Sequence, residues 1–414
     1  MREITIEELE KTDPAERTII DIRTAERYKS NTIPGAINWD NFRMDREGDI
    51  AESTVEGISA NIAEDATEGV SKAGTGMNRL ERLCASVSKD KPVYILCNTG
   101  EHSADVAEYM EEHGWDAYNI RGGFRSWLKA QLAREIGNEN YAQRTQQAER
   151  SIIKKFRKQL WSRFTKACRD YDLIQEGDKI AVCISGGKDS MLMAKLMQEI
   201  QKHGNIPFEL VFLCMNPGYN EDNWAIVQNN AKILGIPLTV FNSQIFDTVV
   251  HIDKSPCYLC ARMRRGYLYS RAQALGCNKI ALGHHYDDVI ETILMGMLYA
   301  GKVETMMPKA RSQHFEGMEL IRPMYLIREA DIKAWRDYNG LSFIQCACRF
   351  TENCASCGGD HPSKRDEMKA LIAGLCEENP VIAQNIFNSV TDINLHNVIG
   401  YHSGDEHTSF LDTY

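Results

Sequence analysis

The sequence predicts an α/β protein with two parallel sheets, of which the second is doubly wound. Short apolar segments typical of strands alternate with segments of helical period along most of the chain, and such alternation produces parallel sheets. A polar stretch over residues 135–149 interrupts this alternation. The 414 residues therefore divide into two parts, each long enough to bury an apolar core of its own.

These boundaries define the predicted domains. We expect a first domain over 1–134, a linker over 135–149, a second domain over 150–400 and a C-terminal tail over 401–414.

In the first part, a segment of helical period through Ala104, Ala107 and Met110 separates two predicted strands, and the order strand, helix, strand favours a parallel sheet. The predicted strands are 18–22, 92–96 and 117–120.

In the second part, helical segments follow the first two of four predicted strands. The helices are expected through Met191 and Met197 and near residues 222–233. In a doubly wound sheet, ligands bind at the carboxyl ends of the strands. The predicted strands are 179–184, 209–215, 237–241 and 279–282.

Composition narrows the class of protein. Hydrophobic residues make up 43% and charged residues 26% of the chain, which is ordinary for a globular protein. The N-terminus lacks a secretory signal pattern, and no apolar run reaches the roughly 18 residues of a membrane span, so we expect a cytoplasmic protein without membrane partners. Thirteen cysteines in such a protein indicate thiol chemistry or metal ligation.

The net charge of −10 is unevenly distributed. Residues 1–135 carry 26 acidic against 17 basic side chains, and the remainder is nearly balanced. A basic helical stretch over 154–169 is either a solvated surface or a contact for RNA phosphates. Its cations are Lys154, Lys155, Arg157, Lys158, Arg163, Lys166 and Arg169.

The most informative motif follows the strand 179–184. Two glycines let the backbone approach an oxyanion, and the helix that begins there presents unpaired N–H groups and its positive dipole end. The spacing differs from a Walker loop, which excludes the common kinase and GTPase class and favours a pyrophosphate site. The motif is Ser185-Gly186-Gly187-Lys188-Asp189-Ser190.

Cys97 directly follows the strand 92–96 and precedes a helix. Converging N–H groups and the helix dipole at such a position stabilise a thiolate, and a thiolate of this kind can carry sulfane sulfur as a persulfide.

The loop of Cys97 resembles the active loop of rhodanese domains, and the resemblance extends over about residues 1–130. Further matching motifs are Asp21-Ile22-Arg23, Ile33-Pro34-Gly35-Ala36 and Gly122-Gly123-Phe124-Arg125-Ser126-Trp127. Asn98 and His102 occupy loop positions that often hold arginine. The resemblance implies a sulfur-relay role for Cys97; the alternative is a rhodanese fold retained for docking.

Residues 150–400 resemble the PP-loop ATP pyrophosphatases, which have an adenine nucleotide alpha hydrolase-like fold, and among them the tRNA 2-thiocytidine synthetase family. Besides the glycine-rich motif, the matching segments are Pro256 to Gly266, Gly283-His284-His285-Tyr286-Asp287-Asp288 and Leu320-Ile321-Arg322-Pro323-Met324.

This resemblance implies that ATP adenylates a base carbonyl in tRNA and that a sulfur nucleophile then displaces AMP. Asp189 is expected to act in catalysis near Mg²⁺. Asp287 and Asp288 either assist there or only stabilise a helix N-terminus. The implied ATP-binding residues are Ser185, Gly186, Gly187, Lys188, Asp189, Ser190, Asn216 and Gly283.

Cys257 and Cys260 have the spacing of metal ligands. The resemblance implies that a third cysteine completes a [4Fe-4S] site with one open iron position. Cys348 is the preferred third ligand, with Cys346 and Cys357 as alternatives. The competing prediction is structural Zn²⁺, held by this pair with a later pair or by Cys346, Cys348, Cys354 and Cys357 alone.

Cys84, Cys168, Cys183, Cys277 and Cys376 lack partner spacing and are predicted to be small buried hydrophobes.

Together these motifs predict a sulfurtransferase that thiolates tRNA. A cysteine desulfurase or another donor is expected to supply the sulfur. The sequence leaves the oligomeric state open, with a homodimer among the options. Two alternatives remain: ATP-dependent thiolation or amidation of a small molecule, and a non-catalytic sulfur-trafficking protein.

Overall fold

The computed structural model describes residues 2–39, 79–137, 140–219, 221–243, 256–343, 364–404 and 406–412, and of residues 256–262 it describes the helix backbone alone. The chain forms two compact units, residues 1–139 and 140–414.

The first unit is built on a five-stranded parallel sheet of order β1-β5-β4-β2-β3. The predicted strands are confirmed with shifts of about one residue. The elements are β1 (Glu3–Ile4), α1 (Ile6–Leu9), β2 (Thr18–Asp21), α2 (Ala25–Ser30), β3 (Ala36–Asn38), α3 (Arg79–Ser86), β4 (Val93–Leu96), α4 (His102–Glu112), β5 (Ala117–Ile120) and α5 (Gly123–Gly137).

Both faces of this sheet are covered. Val93 and Ile95 of β4 belong to one apolar cluster with Met110 of α4, whereas Tyr94 and Leu96 belong to the opposite cluster with Trp127 of α5. Burial on both faces explains why β4 is an uninterrupted apolar run.

A buried ion pair within the Asp21-Ile22-Arg23 motif lies against the ring of Phe124 from a second motif. Arg23 Nη2 donates to Asp21 Oδ2 at 2.6 Å, and the guanidinium carbon lies 3.7 Å from the centre of the Phe124 ring. The Asp21-Ile22-Arg23 motif thus contacts the Gly-Gly-Phe motif that begins α5.

The second unit contains a six-stranded sheet of order β10-β11-β9-β6-β7-β8, in which only β10 and β11 pair antiparallel. Its first elements are α6 (Tyr141–Arg150), α7 (Ser162–Asp170), β6 (Lys179–Ile184), α8 (Lys188–His203), β7 (Glu209–Asn216), α9 (Glu221–Leu234), β8 (Leu238–Asn242), α10 (Pro256–Ala274) and β9 (Lys279–Ala281). These are followed by α11 (Tyr286–Met295), β10 (Lys309–Arg311), β11 (Glu319–Ile321), α12 (Glu329–Tyr338), α13 (Lys364–Glu378), α14 (Ile382–Asn388), β12 (Gly400–Ser403) and β13 (Glu406–Ser409).

The strand order reverses at β6. From this central strand the chain proceeds to β7 and β8 on one side and then returns to β9 on the other. The doubly wound prediction is confirmed, and the carboxyl end of β6 is the topological switch point where such sheets bind ligands.

Most of the stretch predicted as a linker is helical. The sequence pattern missed α6 because polar contacts, rather than an apolar stripe, hold this helix. Thr145 Oγ1 donates to the Ile233 carbonyl at 2.7 Å, and the buried Lys195 ammonium lies 2.9 Å from Glu149 Oε1. A periodicity argument does not detect a helix held in this way.

Two further segments differ from the predicted secondary structure. The basic stretch contains two π-helical segments, Ser151–Lys155 and Arg157–Trp161, before α7. The predicted C-terminal tail contains most of the hairpin β12-β13. None of the helices in the described ranges has the length and hydropathy of a membrane span.

A buried carboxyl group lies between α11 and α13. Burial raises the pKa of Glu291 to about 7, although Arg365, whose Nη1 lies 3.6 Å from Glu291 Oε2, opposes the shift. A carboxyl whose pKa rises on folding stabilises the fold below its ordinary pKa of 4.5, and this contribution is lost as the pH rises through 7.

We therefore expect Glu291→Gln to stabilise the protein relative to wild type at pH 8, by about 2–3 kcal/mol at most, and to be nearly neutral at pH 4.5. Urea unfolding at several pH values measures the difference, with Glu378→Gln on the exposed end of α13 as the control. A Glu291→Gln effect that does not change with pH would contradict this account.

Candidate functional site

The glycine-rich motif forms a tight loop between β6 and α8. Gly186 has φ +82°, a left-handed conformation that favours glycine. Ser190 Oγ accepts from the Ser185 N–H at 3.2 Å and donates to the Gly187 carbonyl at 3.0 Å. Gly187 caps α8 without a side-chain hydrogen bond, so the first N–H groups of the helix face an oxyanion site.

A second glycine brings another strand end against this loop. A Cβ atom on Gly283, after β9, would lie 3.2 Å from Ser190 N and 3.3 Å from the Asp189 carbonyl carbon. Only a residue without a side chain permits this approach readily. Gly283 thus lies at the predicted ATP-binding edge and places the residues after it next to the loop.

Asn216, at the end of β7, shapes the same edge indirectly. Its Oδ1 accepts from the N–H groups of Gly218 and Tyr219 at 3.0 Å each. Tyr219 OH in turn donates to the Ser185 carbonyl at 3.0 Å. Tyr219 was not found from the sequence, because no motif or spacing marks it.

Asp189 has one oxygen engaged and one without a hydrogen bond. Its Oδ2 lies 3.1 Å from Lys188 Nζ. Its Oδ1 is buried and has no hydrogen-bond partner in the described part of the chain. A buried anionic oxygen of this kind fits a cation ligand, since Mg²⁺ prefers carboxylate oxygens.

Lys188 lies between two carboxylates, and Glu329 at the start of α12 is the second, 3.1 Å from Nζ. Burial disfavours the lysine charge, but Asp189 and Glu329 outweigh it and raise the Lys188 pKa. Lys333 and Lys369 also contact Glu329, at 3.0 and 2.9 Å. Burial favours the neutral acid, yet Lys188, Lys369 and Lys333 hold the Glu329 pKa well below its usual range.

The acidic pair at the start of α11 joins neighbouring helices. Asp287 accepts from the Glu329 N–H at 2.7 Å and from Arg328 Nε at 3.1 Å. Asp288 Oδ1 accepts from Arg365 Nη1 of α13 at 2.8 Å. These contacts favour a structural role for the pair.

The two histidines before α11 differ in their contacts. Burial lowers the pKa of His284 to about 4, and Arg322 Nε donates to its Nδ1 at 3.3 Å. His285 is the N-cap of α11, and its Nε2 lies 3.9 Å from Asp189 Oδ1.

In the first unit, Cys97 is held at the carboxyl end of β4. Its Sγ accepts from the Gly100 N–H at 3.0 Å, and Ser103 Oγ lies 3.2 Å away. Asn119 Nδ2 donates to the Gly100 carbonyl at 3.0 Å, which fixes the loop. The Gly100 N–H is directed at the sulfur, whereas the Ser103 hydroxyl lies closer to Asn119 Oδ1, at 2.8 Å, and donates there.

The predicted metal ligands lie largely outside the described residues. Cys257 and Cys260 lie within the first five residues of α10, with side chains that are not described, and the late cysteines Cys346, Cys348, Cys354 and Cys357 fall beyond the described ranges. Within those ranges no group of three or more His, Cys, Asp or Glu side chains is arranged to bind a metal.

The cysteines predicted to be small hydrophobes are buried, with Cys376 half-buried. Burial raises the pKa of Cys183 to about 12, which makes it a poor nucleophile.

The two parts of the chain match different family models. Residues 5–130 match the rhodanese-like domain, and residues 153–348 match the PP-loop domain. The fold and the glycine-rich loop between β6 and α8 thus define a PP-loop protein of the ATP pyrophosphatase type with a rhodanese-like domain before it.

Curated relatives narrow the class. A tRNA-cytidine(32) 2-sulfurtransferase from Burkholderia multivorans is 33% identical over 267 residues, covering 63% of this chain and 77% of the relative. One from an Anaeromyxobacter species is 33% identical over 244 residues, covering 58% and 77%. The chain belongs to the tRNA-cytidine(32) 2-sulfurtransferase family. The predicted fold class and the predicted tRNA-thiolating sulfurtransferase are confirmed.

Among solved structures, U34-tRNA thiolase NcsA from Methanococcus maripaludis with its [4Fe-4S] cluster is 21% identical, with a TM-score of 0.44, over 56% of this chain and 79% of that one.

Substitution of Gly123 tests how closely this residue packs against the Cys97 loop. A Cβ atom on Gly123, which has φ +57°, would lie 2.5 Å from the Cys97 carbonyl oxygen and 2.7 Å from Gly100 N. We expect Gly123→Ala to lower the free energy of unfolding by about 3 kcal/mol or more and to speed alkylation of the buried Cys97, because the loop must open.

Gly35→Ala is the matched control, because Gly35 also has positive φ, +83°, but nothing lies within 4 Å of its Cβ position. It should cost only about 1–2 kcal/mol and leave alkylation of Cys97 unchanged. Equal effects of the two substitutions in urea unfolding and peptide mass spectrometry would contradict the close contact.

Proposed function

We propose that this chain replaces the carbonyl oxygen of a cytidine base in tRNA, at position 32 as in its named relatives, by sulfur at the expense of ATP. The carbonyl oxygen attacks the α-phosphate, which releases pyrophosphate and leaves the base adenylated. A sulfur nucleophile then adds to the same carbon and AMP leaves with the oxygen. Adenylation is needed because a carbonyl oxygen is otherwise a poor leaving group.

One observation carries this proposal: the loop Ser185–Gly187, the start of α8 and Lys188 converge at the switch point of the sheet. Unpaired N–H groups and a charged ammonium stabilise the departing pyrophosphate. Mg²⁺ would be held by Asp189, whose buried Oδ1 lacks a hydrogen-bond partner in the described part of the chain, and the ion would offset charge on the phosphates.

Sulfur delivery is proposed to begin at Cys97. A cysteine desulfurase or another persulfide donor transfers its outer sulfur to the Cys97 thiolate and leaves as a thiolate. The Gly100 N–H stabilises the anionic sulfur. Release of the outer sulfur as sulfide needs two electrons, which a thiol reductant supplies. Covalent linkage of the two units raises the effective concentration of sulfur at the ATP site.

We propose that Cys257, Cys260 and Cys348, with Cys346 and Cys357 as alternatives for the third, hold a [4Fe-4S] cluster. Cys257 and Cys260 lie three residues apart in α10, a spacing that places them on one face of the helix, and thiolates are the ligands such clusters require. When bound, the cluster would supply an open iron position for sulfide; Zn²⁺ remains the alternative metal.

RNA is proposed to bind the first half of the basic stretch. Lys154, Arg157 and Lys158 are exposed. In contrast, Arg163 pairs with Asp331 and Lys166 pairs with Asp170. A cytoplasmic location agrees with a tRNA substrate.

The ATP step and the sulfur relay are separable by substitution. We expect Asp189→Ala to reduce AMP formation with tRNA by about 100-fold or more while Cys97 still accepts a persulfide. Cys97→Ala should lose thiolation from a persulfide donor and keep it with free sulfide. AMP release and nucleoside mass spectrometry read both steps. Unchanged AMP release by Asp189→Ala, or loss with both donors in Cys97→Ala, would reject the corresponding role.

The cluster assignment has its own test. Anaerobically purified protein should be brown, and Cys257→Ser should lose this absorbance together with bound iron. Cys376→Ser, a half-buried cysteine of α13, is the control and should keep the colour. A colourless wild-type protein with stoichiometric zinc would contradict the cluster.

A further inference from the structure

His285 is buried and caps α11 with both its ring and its backbone. The ring Nδ1 accepts from the Asp288 backbone N–H at 3.4 Å. The His285 backbone N–H donates to Asp288 Oδ2 at 2.9 Å. A ring nitrogen that accepts a hydrogen bond carries no proton of its own, so the ring N–H that accompanies this cap lies on Nε2.

This Nε2 faces Asp189 Oδ1 at the glycine-rich motif. The distance from Nε2 to Asp189 Oδ1 is 3.9 Å, about 1 Å longer than a hydrogen bond. Asp189 Oδ1 is buried and lacks any hydrogen-bond partner within the described ranges, a costly arrangement unless a donor or a cation completes it.

Two carboxylates lie on the Nδ1 side of the ring. Asp288 Oδ2 and Asp287 Oδ2 lie 3.5 and 3.9 Å from His285 Nδ1. Asp287 Oδ2 already accepts from the Glu329 N–H at 2.7 Å, and Asp288 Oδ2 accepts from the His285 backbone. Because Nδ1 accepts from the Asp288 N–H, Nε2–H is the ring donor that points toward Asp189.

We propose that His285 is a positioning residue for Asp189. When the phosphates of ATP order the loop, Nε2–H donates to Asp189 Oδ1 and fixes the rotation of the carboxylate. Each carboxylate oxygen has two lone pairs, so Oδ1 can accept this bond and still contact a cation. This inference rests on the proposed adenylation and names the group that orients its carboxylate.

Two substitutions separate capping from positioning. Asparagine is a preferred N-cap residue, so His285→Asn preserves the start of α11, but its shorter side chain does not reach Asp189. Glutamine places its amide nitrogen near the position of Nε2, so His285→Gln restores the donor. We expect His285→Asn to lower kcat for tRNA-dependent AMP formation about 10–100-fold with KM for tRNA unchanged. His285→Gln should recover most of this loss.

Thermal unfolding of His285→Asn should match wild type. Wild-type kcat in His285→Asn, or equal loss in the Asn and Gln variants, would overturn the inference.

A spectroscopic measurement separates this inference from the proposed function. In protein with ¹⁵N-labelled histidine, the His285 signal, assigned by its loss in His285→Asn, should show a proton on Nε2 and should shift in Asp189→Asn. A proton on Nδ1, or no response to Asp189→Asn, overturns the inference whether or not AMP is formed. Failure of the wild-type protein to form AMP with tRNA, together with the expected spectrum, would instead reject the proposed function.

Discussion

The site depends on the close approach of two parallel strand ends, which a glycine makes possible. Gly283 follows β9 and lies against the first residues of α8, with Ser190 N 3.2 Å from where its Cβ would be. Because β9 and β6 are neighbours in the sheet, a Cβ atom here would require the two loops to shift by a few tenths of an ångström. At this edge His285, at the start of α11, lies with its Nε2 3.9 Å from Asp189 Oδ1.

Charged side chains from three helices are packed together at this edge. Glu329 contacts Lys188, Lys333 and Lys369 at 2.9 to 3.1 Å, so three ammonium groups from three helices converge on one carboxylate. Preorganised charge of this kind stabilises a departing pyrophosphate without reorganisation at the moment of reaction.

Local patterns predicted the parallel sheets, the phosphate loop and the Cys97 loop, because strand periodicity and glycine-rich turns are encoded within short segments. Glu329 and Lys369 escaped prediction, since Glu329 reaches Lys188 from a helix about 140 residues further along the chain and Lys369 contacts Glu329 from a helix about 40 residues beyond that. Helix α6 escaped because Thr145 and Glu149 hold it by polar contacts. The proposed cysteine ligands remain predictions, as their side chains lie outside the described residues.

The central claim is that one chain uses ATP to make a tRNA base oxygen leave so that sulfur replaces it. Mass spectrometry of nucleosides, applied to tRNA from cells that lack this protein and from cells that carry it, tests this most directly. The account predicts that 2-thiocytidine disappears with the protein and returns on complementation. Thiolated nucleosides that are identical in both sets of cells would contradict it.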